Sequence, residues 1–156
     1  MNQLFLRFAN EEDKEDVFIW RNDPESIKYS PSGKVNPEEH NKWYSQKIKD
    51  SQTQLFIITD EKGNKIGTIR FDFNNINSQE ISIALNPKFR GKGLGTKSLR
   101  LGVHTYFNNY NIKEITARVL NNNLASIKIF EKVGFKKIKE EKSMIEYAIK
   151  KNEIRI

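Results

Sequence analysis

The chain has 156 residues, of which 37% are hydrophobic and 30% are charged, which is typical of one globular domain rather than a disordered segment. It contains no cysteine, which excludes disulfide bonds, thiolate metal sites and a cysteine nucleophile. Its formal net charge of +7 suits an anionic partner such as a polyphosphate, a nucleic acid or an acidic surface, although lysines that only solubilise the surface give the same charge.

The N-terminal third is predicted to contain one strand and two helices. Residues 3–9 alternate between apolar and polar side chains, which indicates a strand. Asn10 is then suited to cap a helix that reaches residue 22, because acidic residues fill the first turn. Residues 22–37 are predicted to form a loop, since prolines and a glycine interrupt them, and Pro37 is suited to open a second helix.

The rest of the chain predicts a sheet with two further helices. Three strand patterns separated by short turn sequences predict an antiparallel meander, at residues 53–60, 65–73 and 80–86. The elements predicted after it are a helix at 94–110, a strand at 112–120, a short helix that ends at Gly134 and a hairpin at 136–151. We therefore predict a single α+β domain over residues 1–156, with helices flanking a mixed, mostly antiparallel central sheet.

The sequence predicts neither a membrane span nor a secretion signal. No apolar stretch approaches the roughly 20 residues that a bilayer-spanning helix needs. The N-terminal residues lack the basic-then-apolar layout of a signal peptide. We therefore expect a cytoplasmic location without membrane contact.

The sequence RGKGLGT, which begins at Arg90, places three glycines between a predicted strand and a predicted helix. Gly91, Gly93 and Gly95 allow successive backbone N–H groups to turn toward one concavity at the helix N-terminus, where the helix dipole favours negative charge. The side chains of Arg90 and Lys92 add positive charge there. The segment therefore predicts a pyrophosphate site, with a glycine-rich connector that binds nothing as the alternative.

Two common phosphate-binding patterns do not fit this segment. A Walker loop needs glycine where Thr96 stands. The dinucleotide pattern G-x-G-x-x-G needs its third glycine one residue after Gly95.

Two separated motifs resemble the GCN5-related N-acetyltransferase (GNAT) family. The pattern R-x-x-G-x-G, formed by Arg90, Gly93 and Gly95, closely resembles the loop with which that family binds the pyrophosphate of coenzyme A. The later stretch NNNLASIKIFEKVGF, residues 121–135, resembles the second signature of the family. The order of the predicted elements over residues 3–149 is also similar to that fold.

The resemblance implies an N-acetyltransferase in which a primary amine attacks the thioester of acetyl-CoA, without a metal. It also implies that the parallel strands 80–86 and 112–120 splay into a V. Acetyl-CoA would contact the backbone of Ile83, Ala84 and Leu85, and a backbone N–H near Leu85 would polarise the thioester carbonyl. The other residues implied to bind acetyl-CoA are Arg90, Gly91, Lys92, Gly93, Leu94, Gly95 and Thr96 of the loop, and Asn122, Asn123, Ser126 and Phe130.

Three residues are candidates for catalytic proton transfer. Glu80 begins the strand that leads into the glycine loop, where many members of the family carry a glutamate, and it is a candidate base; a carboxylate in solvent or in a salt bridge is the alternative. His40 is the second candidate, because the ordinary imidazole pKa of ~6.5 suits a base. Many relatives carry a tyrosine acid where this chain has Phe130, which cannot donate a proton, so Ser126 is left as a candidate partner of the leaving sulfur.

The N-terminal half is predicted to bind the acceptor. The WRNDP run at residues 20–24 and the EEHNKW sequence at residues 38–43 resemble acetyltransferases of bacterial nonulosonate synthesis, such as the pseudaminic acid route. Those enzymes act on the 4-amino group of a nucleotide-linked aminodideoxy sugar, which implies a UDP-linked sugar here. The predicted acceptor contacts are Trp20, Arg21, Asn22, Tyr29, His40, Trp43 and Tyr44, with aromatic rings for the sugar or base and Arg21 for the diphosphate. A place in the hydrophobic core is the alternative for Trp20 and Trp43.

The sequence is also compatible with other functions. One is acetylation of protein N-termini, as on ribosomal proteins, and another is coenzyme A binding without turnover, which the absence of a hydroxyl on Phe130 suggests. Nucleic-acid binding is not predicted, because the aromatic and basic residues form no RNA-binding motif. The oligomeric state is also open, a homodimer included.

Overall fold

A seven-stranded sheet in the order β1-β2-β3-β4-β5-β7-β6 forms the centre of the computed structural model, which describes residues 3–30 and 33–155. Each strand pairs antiparallel with its neighbours except β4 and β5, which run parallel. The strands are β1 Leu4–Phe8, β2 Thr53–Asp60, β3 Lys65–Asn75, β4 Ser78–Leu85, β5 Glu114–Leu120, β6 Lys136–Glu141 and β7 Met144–Lys150. The predicted α+β fold with a mostly antiparallel sheet is therefore confirmed.

The helices cover both faces of this sheet. They are α1 Lys14–Arg21, α2 Pro24–Lys28, α3 Pro37–Lys49, α4 Leu94–Asn109 and α5 Leu124–Val133. Successive side chains of a strand point to opposite faces, so on β2 Phe56 and Ile58 join the larger core under α4 and α5. Leu55 and Ile57 join a smaller core under α1 and α3.

One predicted loop contains a helix. Residues 22–37 were expected to be irregular, but Pro24–Lys28 form α2. The carboxylate of Asp23 accepts a hydrogen bond from the Glu25 N–H, and Pro24 occupies the first helical turn, where its missing N–H costs nothing. Pro24 therefore opens a helix rather than only interrupting the chain, and Pro37 opens α3 in the same way. Residues 31 and 32 of the predicted loop lie outside the described residues.

The parallel strands separate soon after they meet. β4 pairs with β3 along its whole length, from Ser78 to Leu85. With β5 it forms three register pairs, the last of which joins Glu80 to Thr116. Beyond that pair the two strands diverge, which confirms the predicted V.

A buried carboxylate fastens α1 to the sheet. The side chain of Asp13 is 1% exposed and lies 2.8 Å from Arg7 on β1 and 2.7 Å from Lys65 on β3. It also accepts the Asn10 N–H at 2.9 Å. Burial alone would raise the pKa of the Asp13 carboxyl, but hydrogen bonds from Arg7, Lys65 and Asn10 outweigh it and hold the pKa well below its ordinary value.

We expect Asp13→Asn to lower the free energy of unfolding by about 3 kcal/mol at pH 7, because it leaves two cations facing a neutral amide. The more exposed pair of Asp16 with Lys65 provides the control, and Asp16→Asn should cost less than about 1 kcal/mol. Urea unfolding measures both. Since the folded pKa of Asp13 is depressed, its stabilisation is present above the unfolded value of about 3.9 and is lost as pH falls through the folded pKa. Equal losses in the two variants would contradict this role.

Candidate functional site

The glycine loop follows β4 directly and is held at its entrance. The Asn86 N–H donates to the carbonyl of Ile66 at 2.8 Å, and its side-chain amide donates to the carbonyl of Lys65 at 2.9 Å. A single 3₁₀ turn over residues 87–89 follows, and then Gly91 and Gly93 adopt left-handed φ values of 73° and 74°. These two positions require glycine, because L side chains are strained there.

Backbone N–H groups of the loop are left without protein partners. Gly93 is the N-cap of the 16-residue helix α4 and provides no side-chain cap. Within residues 3–30 and 33–155, no hydrogen bond engages the N–H of Gly93, Leu94 or Gly95. Free N–H groups at the positive end of a long helix are suited to an anion such as a diphosphate.

Gly95 has a different role from the two glycines before it. It lies buried in the first turn of α4, and a Cβ at this position would approach the Cδ1 of Ile129 to 2.7 Å. Its missing side chain therefore allows α4 to pack closely on α5, rather than freeing the backbone as predicted. Leu94 is also a core residue, with its side chain 5% exposed, whereas Thr96 is half-buried and Lys92 is exposed.

Arg90 is joined to α2 on the other side of the loop. Its guanidinium lies 2.5 Å from the Asp23 carboxylate and donates to the Ser26 hydroxyl at 2.9 Å. The hydrogen bond from Arg90 lowers the pKa of Asp23 below its ordinary value. The charge that the sequence places beside the loop is thus paired, and Arg90 connects the loop to the N-terminal helices.

On the edge of β4 that faces the V, every second residue presents its backbone N–H and C=O groups. The Asn86 N–H donates to β3. In an antiparallel pair, successive residues point their N–H and C=O groups alternately toward and away from the partner strand, so Ala84 also points these groups to β3. Ile83 and Leu85 therefore point their N–H and C=O groups into the V. Of the three residues predicted to contact acetyl-CoA through the backbone, the geometry is suited to Ile83 and Leu85 and not to Ala84.

Glu80 lies where the V opens. It is the last residue of β4 paired with β5, and its carboxylate accepts a hydrogen bond from the Arg118 Nε at 3.2 Å. The side chain of Glu80 is 22% exposed and that of Arg118 is 62% exposed. A carboxylate at this point, held by one exposed partner, is accessible to a substrate amine.

His40 does not have the free nitrogen that a base needs. Its ring is 1% exposed, with Nε2 2.8 Å from the Lys14 carbonyl and Nδ1 3.0 Å from the Arg21 guanidinium. A carbonyl only accepts and a guanidinium only donates, so Nε2 carries the proton and Nδ1 accepts. Burial lowers the pKa of His40 below its ordinary value, and the charge of Arg21 lowers it further. The structure corrects the predicted base role: His40 is a neutral residue that positions Arg21.

The residues predicted on α5 divide between surface and core. Asn123 caps α5, since its side-chain oxygen accepts the Ser126 N–H at 3.3 Å, and Asn122 is exposed beside it. Ser126 is half-buried in the first turn. Phe130 is 4% exposed and packs edge-to-face on Phe135 with ring centres 4.9 Å apart. The ring of Phe130 therefore belongs to the core and has no free face for a ligand.

Several residues predicted to bind the acceptor are structural. Trp20 is 5% exposed, and Tyr44 is fully buried with its hydroxyl donating to the Asn10 carbonyl at 2.6 Å. The core alternative is therefore correct for Trp20, and the predicted stacking surface of Tyr44 is absent. Asn22 brackets the backbone of Val35 with two hydrogen bonds, at 2.6 and 2.8 Å. Tyr29 is half-buried beside the Lys28 ammonium.

A cavity of about 90 Å³ lies between α1, α3 and the outer half of β4. The Arg21 guanidinium stands 4.1 Å from the ring centre of Trp43, and the Arg70 guanidinium stands 5.4 Å from it. Its lining residues are Val17, Arg21, Trp43, Leu55, Thr68, Arg70, Ser82, Ile83 and Ala84. The structure thus places Arg21 and Trp43, two of the predicted acceptor-binding residues, against β4, the strand that carries Glu80.

Sequence reasoning missed Arg70 and Ser82. The signal for Arg70 is its place in the run KIGTIRFDF, where an arginine stands among apolar residues of a strand that is buried on both sides. A charge in such a strand is costly unless it serves a site or is paired. Ser82 gives no comparable signal, because a small polar residue is common in a strand.

The described residues show two absences. No helix within residues 3–30 and 33–155 combines the length and the apolar character that a bilayer crossing requires. Over the same ranges, histidine and acidic side chains form no cluster of three or more that is arranged to hold a metal ion.

Comparisons with known proteins agree with this geometry. The sequence model of the acetyltransferase (GNAT) domain matches residues 3–136. An uncharacterized protein of Methanocaldococcus jannaschii, MJ1062, is 31% identical over 89% of this chain, which spans 29% of that longer protein. The acetyltransferase PseH of Campylobacter jejuni is 24% identical over 92% of this chain and 90% of its own length.

A solved structure extends the comparison to the fold. The spermidine N-acetyltransferase of Vibrio cholerae, in complex with coenzyme A and spermine, superimposes with a TM-score of 0.85 over 97% of both chains. Its sequence is 20% identical, so this similarity concerns the fold alone.

Proposed function

Since the chain belongs to the acetyltransferase (GNAT) family and is an N-acetyltransferase, we propose that it acetylates the 4-amino group of a UDP-linked aminodideoxy sugar. The observation that carries the transferase assignment is the V between β4 and β5, which opens beside the free N–H groups of the glycine loop. The sugar acceptor is supported by the similarity to PseH over most of both chains and by the Trp43 ring in the cavity beside β4.

The residues around the V are suited to acetyl-CoA. Enzymes of this family use it, and the spermidine N-acetyltransferase similar in fold was solved with coenzyme A. The N–H groups of Gly93, Leu94 and Gly95 would hold its diphosphate, and the edge of Ile83 would pair with its amide groups as an added strand does. When bound, acetyl-CoA supplies an acetyl group activated as a thioester, which a neutral amine attacks.

This chain provides the polar groups that such an attack needs. The Leu85 N–H points into the V and would donate to the carbonyl oxygen as negative charge develops on it. The Glu80 carboxylate would accept the proton of the substrate ammonium, directly or through one water. Ser126, at the start of α5, is the proposed hydrogen-bond partner of the leaving sulfur, because Phe130 has no hydroxyl and lies in the core.

We expect coenzyme A to raise the melting temperature of the protein and Gly93→Ala to weaken this binding about tenfold. Alanine at a φ of 74° is strained by about 1 kcal/mol, so the loop shifts away from the conformation that presents its N–H groups. Gly63→Ala is the matched control, since Gly63 has a φ of 84° and equally open surroundings in the hairpin between β2 and β3. Calorimetric titration measures both affinities. No binding to the wild type, or an equal loss in the two variants, would reject the loop as the diphosphate site.

We expect Glu80→Gln to lower kcat about 100-fold with little change in coenzyme A affinity, because an amide cannot accept the ammonium proton. The control is Glu146→Gln. Glu146 lies opposite Arg118 in the pairing of β7 with β5, so the control makes the same carboxylate-to-amide change beside the same arginine. Thiol release reports the rate. An unaltered rate in Glu80→Gln would remove Glu80 from the mechanism.

The acceptor assignment is tested with three amines at equal concentrations. We expect thiol release with a UDP-linked 4-aminodideoxy sugar to exceed that with a ribosomal-protein N-terminal peptide or with spermidine by at least about 100-fold in kcat/KM. A preference for the peptide or for spermidine would overturn the sugar proposal. Coenzyme A binding without release on any of the three amines would contradict it as well, and would favour a binding domain.

A further inference from the structure

We infer that the cavity beside Trp43 is an anion subsite, in which Arg21 and Arg70 bind a negatively charged group of the acceptor. The acceptor is then an amine that carries a phosphate or a carboxylate, and polycations such as spermidine are rejected by charge. This inference rests on the proposed function, because it assigns a substrate class to the same site.

The charge of the cavity lining favours an anion. The charged residues that line it, within the described part of the chain, are Arg21 and Arg70. Arg70 shares the Asp72 carboxylate with Lys47, at 2.7 and 3.0 Å. Asp72 therefore balances only part of the charge of Arg70 and Lys47, and no carboxylate stands among the described lining residues, so the two guanidinium groups favour an anion inside the cavity.

The surroundings of the Arg21 guanidinium also favour an anion. No carboxylate within residues 3–30 and 33–155 forms an ion pair with it, and its hydrogen bond goes to the neutral ring of His40. Burial lowers the pKa of Arg21 and the charge of Arg70 lowers it further, and together they outweigh the charge of Glu39, which raises it. A bound anion would compensate both effects. A half-buried guanidinium in this state is therefore prepared for an anionic ligand.

Both guanidinium groups are held in place by other side chains. His40 is fixed by the Lys14 carbonyl and directs Arg21 by its Nδ1 atom. Asp72 holds the Nε of Arg70, whose Nη2 reaches toward the Ser82 hydroxyl at 3.4 Å. An arginine whose side chain is already ordered loses less conformational entropy when it binds. The remaining N–H donors match the oxygen spacing of a phosphate or carboxylate.

The location of the cavity connects it to the reaction. Ser82 and Ala84 alternate with Ile83 along β4, and Glu80 stands two residues before Ser82 on the same face. A residue pair of this spacing spans about 7 Å along a strand. An acceptor that places its anionic group at Arg21 and Arg70 can therefore reach Glu80 with an amine a few bonds away.

The test measures anion binding separately from turnover. Coenzyme A is first added to saturation so that the glycine loop is occupied, and then inorganic pyrophosphate, succinate or spermidine is titrated while the Trp43 indole and the arginine Nε–H signals are followed by NMR. We expect one of the two anions to bind and to shift the signals of Arg21, Arg70 and Trp43, and spermidine to cause no shift there. Stronger binding of pyrophosphate identifies a diphosphate acceptor, and stronger binding of succinate identifies a carboxylate acceptor.

Charge variants show whether these residues form the subsite. Arg21→Gln and Arg70→Gln should each weaken anion binding at least about tenfold, whereas Lys62→Gln, an equal change of charge at the exposed turn between β2 and β3, should leave it unchanged. Arg21→Lys keeps the positive charge but lacks the paired N–H donors of the guanidinium, so it should retain part of the affinity. This variant keeps the subsite testable if Arg21→Gln does not fold.

The outcomes distinguish this inference from the proposed function. No anion binding in the saturated protein, an equal loss in Lys62→Gln, or spermidine shifts at Arg21 would overturn the subsite even if the UDP-sugar is acetylated. Anion binding that depends on Arg21 and Arg70 would support the subsite even if the UDP-sugar is not a substrate.

Discussion

Beyond Glu80, β4 has a strand partner on one edge only, and the geometry of the site follows from that constraint. Backbone N–H and C=O groups near the interior need hydrogen-bond partners, and the divergence of β5 leaves those of Ile83 and Leu85 to a ligand. The glycine loop begins where β4 ends, so one continuous stretch of chain presents first an extended edge and then a group of free N–H donors. An elongated ligand with amide groups at one end and a diphosphate at the other is suited to this order.

The two sides of the site depend on different properties of the chain. The donor side consists of backbone conformations, such as the left-handed φ of Gly93 and the alternation along β4. Backbone geometry is what a shared fold preserves, which is why a spermidine enzyme of 20% identity superimposes so closely. The acceptor side consists of individual side chains, each held by another: Arg21 by His40 and Arg70 by Asp72. The fold alone does not determine such side-chain pairs, so the acceptor can differ between enzymes that share it.

Most of the fold could be predicted from the sequence because its signals are local. Apolar alternation defines β1, and Asn10 and Pro37 set helix starts that the structure confirms. The signals that misled were also local. Asp23 and Pro24 look like a turn, although the same pair caps a short helix once a neighbouring element can support it.

The candidate site was harder to predict because burial and pairing are tertiary properties. The sequence cannot show that the Tyr44 ring is enclosed, or that Lys14 and Arg21 occupy both nitrogens of His40. Arg70 was missed since its neighbours in the cavity, Arg21 and Trp43, come from α1 and α3. The glycine loop was found because its requirement for positive φ is a property of single residues.

The contact between Arg90 and Asp23 has a thermodynamic consequence. It joins the loop on which a diphosphate would rest to α2, which leads toward the region of the acceptor. Any anion that draws the guanidinium to itself must weaken its hold on that helix, and any ligand that secures the helix in place must restrain the guanidinium. Linkage would make such an effect mutual, so that occupancy of either site would change the affinity of the other by the same factor.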